Sequence, residues 1–120
     1  MKPSNDRMRA EIRGRRAETF ACWALRLKGW QILARRARGP GGEVDVIARR
    51  GRILAFIEVK ARSTAESAEL SLDRYRLRRV AVAAERLAPR YRRAGDSLRI
   101  DAMFVIPGAW PRHLPDVWQG

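Results

Sequence analysis

Apolar positions recur along this chain with two different periods, and the change from one to the other outlines a fold. Ile12, Ala17, Phe20, Ala21, Ala24 and Leu27 fall at helical spacing. They predict a helix over Arg7–Lys28, with Met1–Asp6 as a frayed end and Gly29 as the stop. Three short stretches of strand character follow: Trp30–Arg36, Glu43–Ala48 and Ile53–Lys60. Gly39-Pro40-Gly41-Gly42 separates the first two as a turn, and Arg49-Arg50-Gly51-Arg52 joins the second to the third as a hairpin. Ser63–Ser71 reads as a polar loop. A second long helix is predicted over Leu72–Arg93, with Leu72, Tyr75, Arg79, Val82, Ala83, Arg86 and Leu87 at helical steps and Pro89 breaking or kinking it near its end. Leu98–Ile106 is a fourth strand, ended by Pro107-Gly108, and residues 107–120 are expected to be an irregular tail that packs as an irregular strand or extended cover.

Strands joined by a short turn must run antiparallel, whereas the helix between the third and fourth strands allows a parallel crossover. The expected architecture is a single α/β domain with a mixed central sheet flanked by helices.

Composition narrows the setting. A chain of 120 residues with 46% apolar content can bury one modest core, and no apolar run reaches the length a membrane helix requires. Met1–Arg16 is charged throughout and has no apolar leader segment, and Cys22 is the single cysteine, which excludes a disulfide framework. A cytoplasmic protein is expected, with Cys22 a buried small side chain. The 26 basic against 13 acidic residues give a net charge of +13, a field that favours polyanions. DNA is the expected partner and RNA an alternative. No helix pairs a wholly apolar face with a wholly basic one, so a membrane surface is not expected.

Against this basic background, Glu43, Asp45, Glu58 and Lys60 sit on two otherwise apolar strands. If Ala48 faces Ile53 across the hairpin, Asp45 lies opposite Phe56 and Glu43 opposite Glu58. All four charged side chains then share one face, with Asp45 a diagonal neighbour of Glu58 at about 7–8 Å by backbone. Burying like charges is costly unless a metal or counter-charge compensates them. Two readings follow. In one, Asp45 and Glu58, with a backbone carbonyl such as that of Val59, hold Mg²⁺ or Mn²⁺, and Lys60 orients a water or stabilises charge on a phosphate. In the other, Glu43 or Glu58 forms an ion pair with Lys60 on a half-exposed sheet. On the first helix, Glu18, Cys22 and Leu25 share a face. Glu18 is therefore either a functional carboxylate or the acid half of a pair with an arginine such as Arg15.

Asp45 followed by Glu58-Val59-Lys60 resembles the PD-(D/E)xK nuclease motif. The fuller pattern, Gly42-Glu43-Val44-Asp45-Val46-Ile47-Ala48 and then Phe56-Ile57-Glu58-Val59-Lys60-Ala61-Arg62, resembles the YraN family of small bacterial proteins. These are predicted endonucleases related to archaeal Holliday-junction resolvases. Ala17-Glu18 and Arg99-Ile100-Asp101 match further family features. The resemblance implies a restriction-endonuclease-like fold with Asp45 and Glu58 as metal ligands and Lys60 as the catalytic lysine. It adds Glu18 as a supporting acid at the metal and Glu43 as a further ligand or a hydrogen-bonding neighbour. Family members carry a lysine at the start of the second long helix; here Asp73-Arg74-Tyr75-Arg76 stands there. Arg74 or Arg76 is expected to take over a phosphate contact, alongside Arg62. The family's glycine-containing segment after the lysine strand is also missing from Ser63–Ser71.

The expected function is a divalent-metal-dependent nuclease acting on DNA, including branched or junction DNA. A nuclease that resolves symmetric junctions would be a homodimer. The alternative is a non-catalytic nucleic-acid-binding or assembly protein that keeps the fold. His113, Trp23, Trp30 and Asp101 are expected to be structural: His113 in the tail, the tryptophans in the core, and Asp101 paired with an arginine or supporting the sheet edge.

Overall fold

The computed structural model describes residues 2–70 and 72–119. Helix α1 spans Lys2–Leu27, strand β1 Gln31–Gly39, β2 Gly42–Arg50, β3 Ile53–Ala61, helix α2 Ala65–Leu70, α3 Arg74–Tyr91, β4 Ser97–Val105 and β5 Arg112–Leu114. The strands form one sheet in chain order, β1-β2-β3-β4-β5. β2 pairs antiparallel with both β1 and β3, β3 and β4 run parallel across the helical crossover, and β5 returns antiparallel to β4. This single α/β domain, with a mixed sheet between helices, is consistent with a restriction-endonuclease-like fold.

Alternation along the central strands divides the core in two. Val46 and Ala48 of β2 and Ala55 and Ile57 of β3 pack with Ala21, Cys22 and Leu25 of α1, together with Trp30 and Met103. Ile47, Leu54 and Phe56 pack with Leu77, Val80, Ala83 and Leu87 of α3. Both faces of β2 and β3 are therefore covered, which is why these strands read as nearly continuous apolar runs. The β1–β2 turn carries its chain reversal on Pro40-Gly41. Gly41 has φ +94°, and a Cβ there would come within 2.8 Å of Val82 Cγ1, so α3 packs directly onto the turn.

Several elements differ from expectation. Helix α1 begins at Lys2 rather than Arg7, so residues 2–6 are helical; Met1 lies outside the described residues. Within α1 the buried face is Ala17, Glu18, Ala21, Cys22, Ala24 and Leu25, while Ile12, Trp23 and Leu27 are exposed. Trp23 is thus not a core residue; Arg26 lies over its ring at 5.3 Å. The polar loop contains α2, opened by Thr64, whose Oγ1 accepts the Ser67 N–H at 3.0 Å. Ser71, the end of that stretch, lies outside the described residues. Helix α3 starts after Asp73, whose carboxylate accepts the Arg76 N–H, and it ends two residues beyond Pro89.

The hairpin register also differs. Arg50 faces Ile53 and Ala48 faces Ala55, so the β2–β3 connection is the two-residue Gly51-Arg52 turn with Gly51 at φ +60°. Arg49, taken from sequence as part of the turn, is a buried strand residue. Its Nη1 donates to Asp96 Oδ1 at 2.7 Å and its Nη2 to the Tyr91 carbonyl at 2.8 Å, while Asp96 Oδ2 accepts the Arg93 N–H at 2.7 Å. One ion pair thereby ties β2 to the loop joining α3 and β4. A two-residue slip does not by itself change which face a side chain occupies, and Asp45 and Glu58 still line the same recesses, with Glu43 in one and Lys60 in the other.

A two-carboxylate cleft at the end of the sheet

The β2–β3 ladder ends at Val46 opposite Ile57, and the next step would set Asp45 directly across from Glu58 rather than diagonal to it. The ladder is diverted there. Asp45 Oδ2 accepts the Val59 backbone N–H at 2.8 Å, so a side chain takes a donor that a regular sheet would give to main chain. Val44 packs on the α3 side, Val46 on the α1 side and Ile47 again with α3, so the alternation of β2 also breaks at Asp45. The consequence is a splayed end between two helices. Glu43, Asp45 and Glu58 line a recess of about 230 Å³ against Arg76, Arg79 and Val80 of α3. Asp45, Glu58 and Lys60 line an adjoining recess of about 370 Å³ reaching Arg13 and Gly14 of α1 and Arg62.

The charges here are only partly compensated. Lys60 Nζ lies 3.1 Å from Glu58 Oε1, with the two side chains almost buried. The ion-pair reading of Glu58 and Lys60 is therefore present in the geometry. It leaves Glu58 Oε2 buried with no hydrogen-bond partner. Desolvation pushes the Asp45 carboxyl up to about 6; the Val59 hydrogen bond opposes this, and the negative charges of Glu18, Glu58 and Glu43 add to it. A carboxyl raised by burial beside an orphaned carboxylate oxygen is an arrangement whose negative charge a bound cation would balance.

The other candidate acids are placed differently. Glu18 is buried on α1 and makes an ion pair with Arg36 Nε at 2.9 Å, not with Arg15. Arg36 reaches it from a left-handed backbone conformation, φ +52°, unusual for a side-chain-bearing residue. Glu18 stands close enough to raise Asp45 electrostatically, but its carboxylate is held by Arg36. Glu43 pairs with the exposed Arg38 at 3.0 Å. Among the described residues no three His, Cys, Asp or Glu side chains gather in a metal-binding group, and Asp45 and Glu58 are the carboxylates common to both recesses. That donor set fits Mg²⁺ or Mn²⁺, which take oxygen ligands and keep several waters. Neither recess is lined, among the described residues, by the Cys or His that protein zinc sites usually carry.

Of the arginines expected to meet phosphate, Arg76 lines both recesses and Arg62 lines the second. Arg74 turns away, its guanidinium 5.0 Å from the Trp118 ring. Sequence reasoning missed Arg79 and Arg13. Arg79 follows Arg76 by one helical turn, a spacing that could have marked it. Asp101 is fully buried and structural, bound by Arg99 at 2.8 and 2.9 Å, by His113 Nε2 at 2.7 Å and by the Asp116 N–H at 2.9 Å. Trp30 is buried against His113. Cys22 is buried, and desolvation raises its thiol. No helix among the described residues is long and apolar enough to cross a membrane.

The sequence profile of the uncharacterised protein family UPF0102 matches residues 17–105, which include Glu43, Asp45, Glu58, Lys60, Arg76 and Arg79 but not the α1 wall at Arg13 and Gly14. A UPF0102 protein of Sphingopyxis alaskensis is 59% identical over 113 residues, covering 94% of this chain and 97% of the relative. UPF0102 proteins of Rhizorhabdus wittichii and Erythrobacter litoralis are 53% and 47% identical, covering 97% and 92% of this chain and 98% and 95% of the relatives.

Proposed function

The chain belongs to the uncharacterised protein family UPF0102, and we propose that it is a divalent-metal-dependent nuclease of the PD-(D/E)xK type, as in the YraN family, hydrolysing phosphodiester bonds in DNA. One observation carries this reading: Asp45 and Glu58 line the same recesses at a splayed sheet end, with Glu58 Oε2 unpartnered, in a chain of net charge +13. Asp45 and Glu58 would hold Mg²⁺ or Mn²⁺. When bound, such an ion supplies Lewis acidity toward a phosphate oxygen and a lowered pKa for a coordinated water.

The remaining work falls to the chain itself. The Val59 N–H fixes the Asp45 carboxylate, and Glu58 Oε1 holds the Lys60 ammonium in the lining of the same recess. From there Lys60 can donate to a phosphate oxygen as negative charge develops on it, or orient the attacking water. Arg76 and Arg79 on α3 and Arg13 on α1 line the two walls of the cleft and would draw the nucleic-acid backbone in from both sides. Glu18, held by Arg36, would act through charge, adding to the negative potential at Asp45.

Incubation with four-way junction, flap, single-stranded and duplex DNA, with Mg²⁺ or Mn²⁺ and with EDTA, tests this. Metal-dependent cutting is expected, with a loss on the order of 10³-fold in Glu58→Gln protein. Cleavage that persists unchanged in Glu58→Gln would remove the assignment. Salt-sensitive binding with no cleavage under any metal would favour a non-catalytic nucleic-acid-binding protein on the same fold.

A further inference from the structure

A second cavity, of about 650 Å³, opens beside the cleft and differs from it in chemistry. It shares Arg13, Ala61 and Arg62 with the recess of Asp45, Glu58 and Lys60, so the two adjoin. Its walls are apolar where α1 faces the end of β4: Phe20 on one side, Val105, Ile106 and Pro107 on the other. Its rim carries Arg13, Arg16 and Arg62, and no acidic side chain among the described residues lines it. The Phe20 ring is braced edge-on by Trp110, with centroids 5.6 Å apart and planes at 85°.

An apolar slot with an aromatic wall and a purely cationic rim suits a ligand that joins a flat apolar body to negative charge. The volume lies within the range of small-molecule sites. A nucleotide in an intact duplex cannot offer this, because its base is stacked and paired; an unpaired one can. Resting on the nuclease reading of the adjacent cleft, we propose that this cavity receives an unpaired nucleotide of the substrate strand. Its base lies against Phe20 and Ile106, and its phosphates meet Arg13, Arg16 and Arg62. The neighbouring phosphodiester then falls toward Asp45 and Glu58, so the substrate class is DNA with a single-stranded segment at the point of cutting.

Binding without metal separates this from the cleavage reading. Fluorescence anisotropy in EDTA, with a labelled single-stranded oligonucleotide and the duplex of the same sequence, should show tighter binding to the single strand. Phe20→Ala is expected to weaken single-strand binding by about 5- to 100-fold, the range for losing one stacked base, and to leave duplex binding within about twofold. Phe20→Tyr keeps the ring and is expected to restore the single-strand affinity, which separates stacking from a folding defect. Equal affinity for both forms, or Phe20→Ala protein that still binds single strands as the parent does, would overturn the proposal. A protein that cuts DNA without a Phe20-dependent preference would keep the nuclease reading and lose this one. A protein with the preference but no cutting would do the reverse.

Discussion

Asp45→Asn protein is expected to be more stable than the parent at neutral pH and inactive as a nuclease. The sign follows from the direction of the shift. Asp45 titrates near 6 in the folded chain against 3.8 for an unperturbed side chain, so the native state holds on to a proton that the unfolded state releases. The charged carboxylate is thus a cost, fully present above about pH 6, shrinking as pH falls through 6, and gone below about 4. A shift of about two units, discounted because Asp45 is only half-buried, corresponds to about 2 kcal/mol at neutral pH. Asparagine removes the charge, and its amide oxygen can still accept the Val59 N–H. Thermal unfolding followed by circular dichroism should show a melting temperature several degrees higher for Asp45→Asn at pH 7.5 and no difference near pH 4. Mn²⁺ should raise the melting temperature of the parent alone, since a ligand stabilises only the state that binds it. A variant that is less stable at pH 7.5 would mean that Asp45 serves the fold rather than a cation.

Asp96→Ala is expected to lower the urea unfolding midpoint far more than loss of the exposed Arg38–Glu43 pair in Glu43→Ala, which should barely move it. Without Asp96, the Arg49 guanidinium remains in the interior with only the Tyr91 carbonyl, and its Nε already lacks a partner. The Arg93 N–H loses its acceptor as well. Replacing both ends, as in Arg49→Met with Asp96→Leu, should recover much of the loss, because no charge is then left buried alone. The pH dependence runs opposite to that of Asp45. The hydrogen bond from Arg49, then that from the Arg93 N–H, holds the Asp96 carboxyl at about 2. Its contribution is therefore complete above about pH 4 and lost as pH falls from 4 through 2. Acid titration of the parent should show this loss, and Asp96→Ala should lack it in that window.

These two aspartates also mark where the sequence was readable and where it was not. Asp45 and Glu58 stood out because strand alternation is local and because carboxylates on apolar strands are costly wherever the strands pair. Even a register wrong by two residues left them on the right face. Asp96 and Arg49 form a pair across 47 residues, and nothing local distinguishes a buried arginine from its exposed neighbour Arg50. The charge of Arg49-Arg50 therefore read as a turn and displaced the register. Glu18 likewise met Arg36 rather than Arg15, since a strand partner has no helical spacing to betray it. The α1 and α3 helices were legible from period alone, whereas the six residues of α2 are too few to show one; the Thr64 cap was the available signal. Trp23 was misassigned because hydrophobicity does not say which side of a helix faces the sheet. The Phe20 cavity needs β4, its following loop and α1 together, and no stretch of sequence contains all three.

Calorimetric titration of the purified chain with Mn²⁺ at pH 7.5, beside Asp45→Asn and Glu58→Gln, addresses the cleft most directly. One saturable site is expected in the parent, lost in both variants, and weakened as pH drops below about 6, where Asp45 takes up a proton. A parent chain that binds no Mn²⁺, or variants that bind it as the parent does, would contradict a cation site on Asp45 and Glu58.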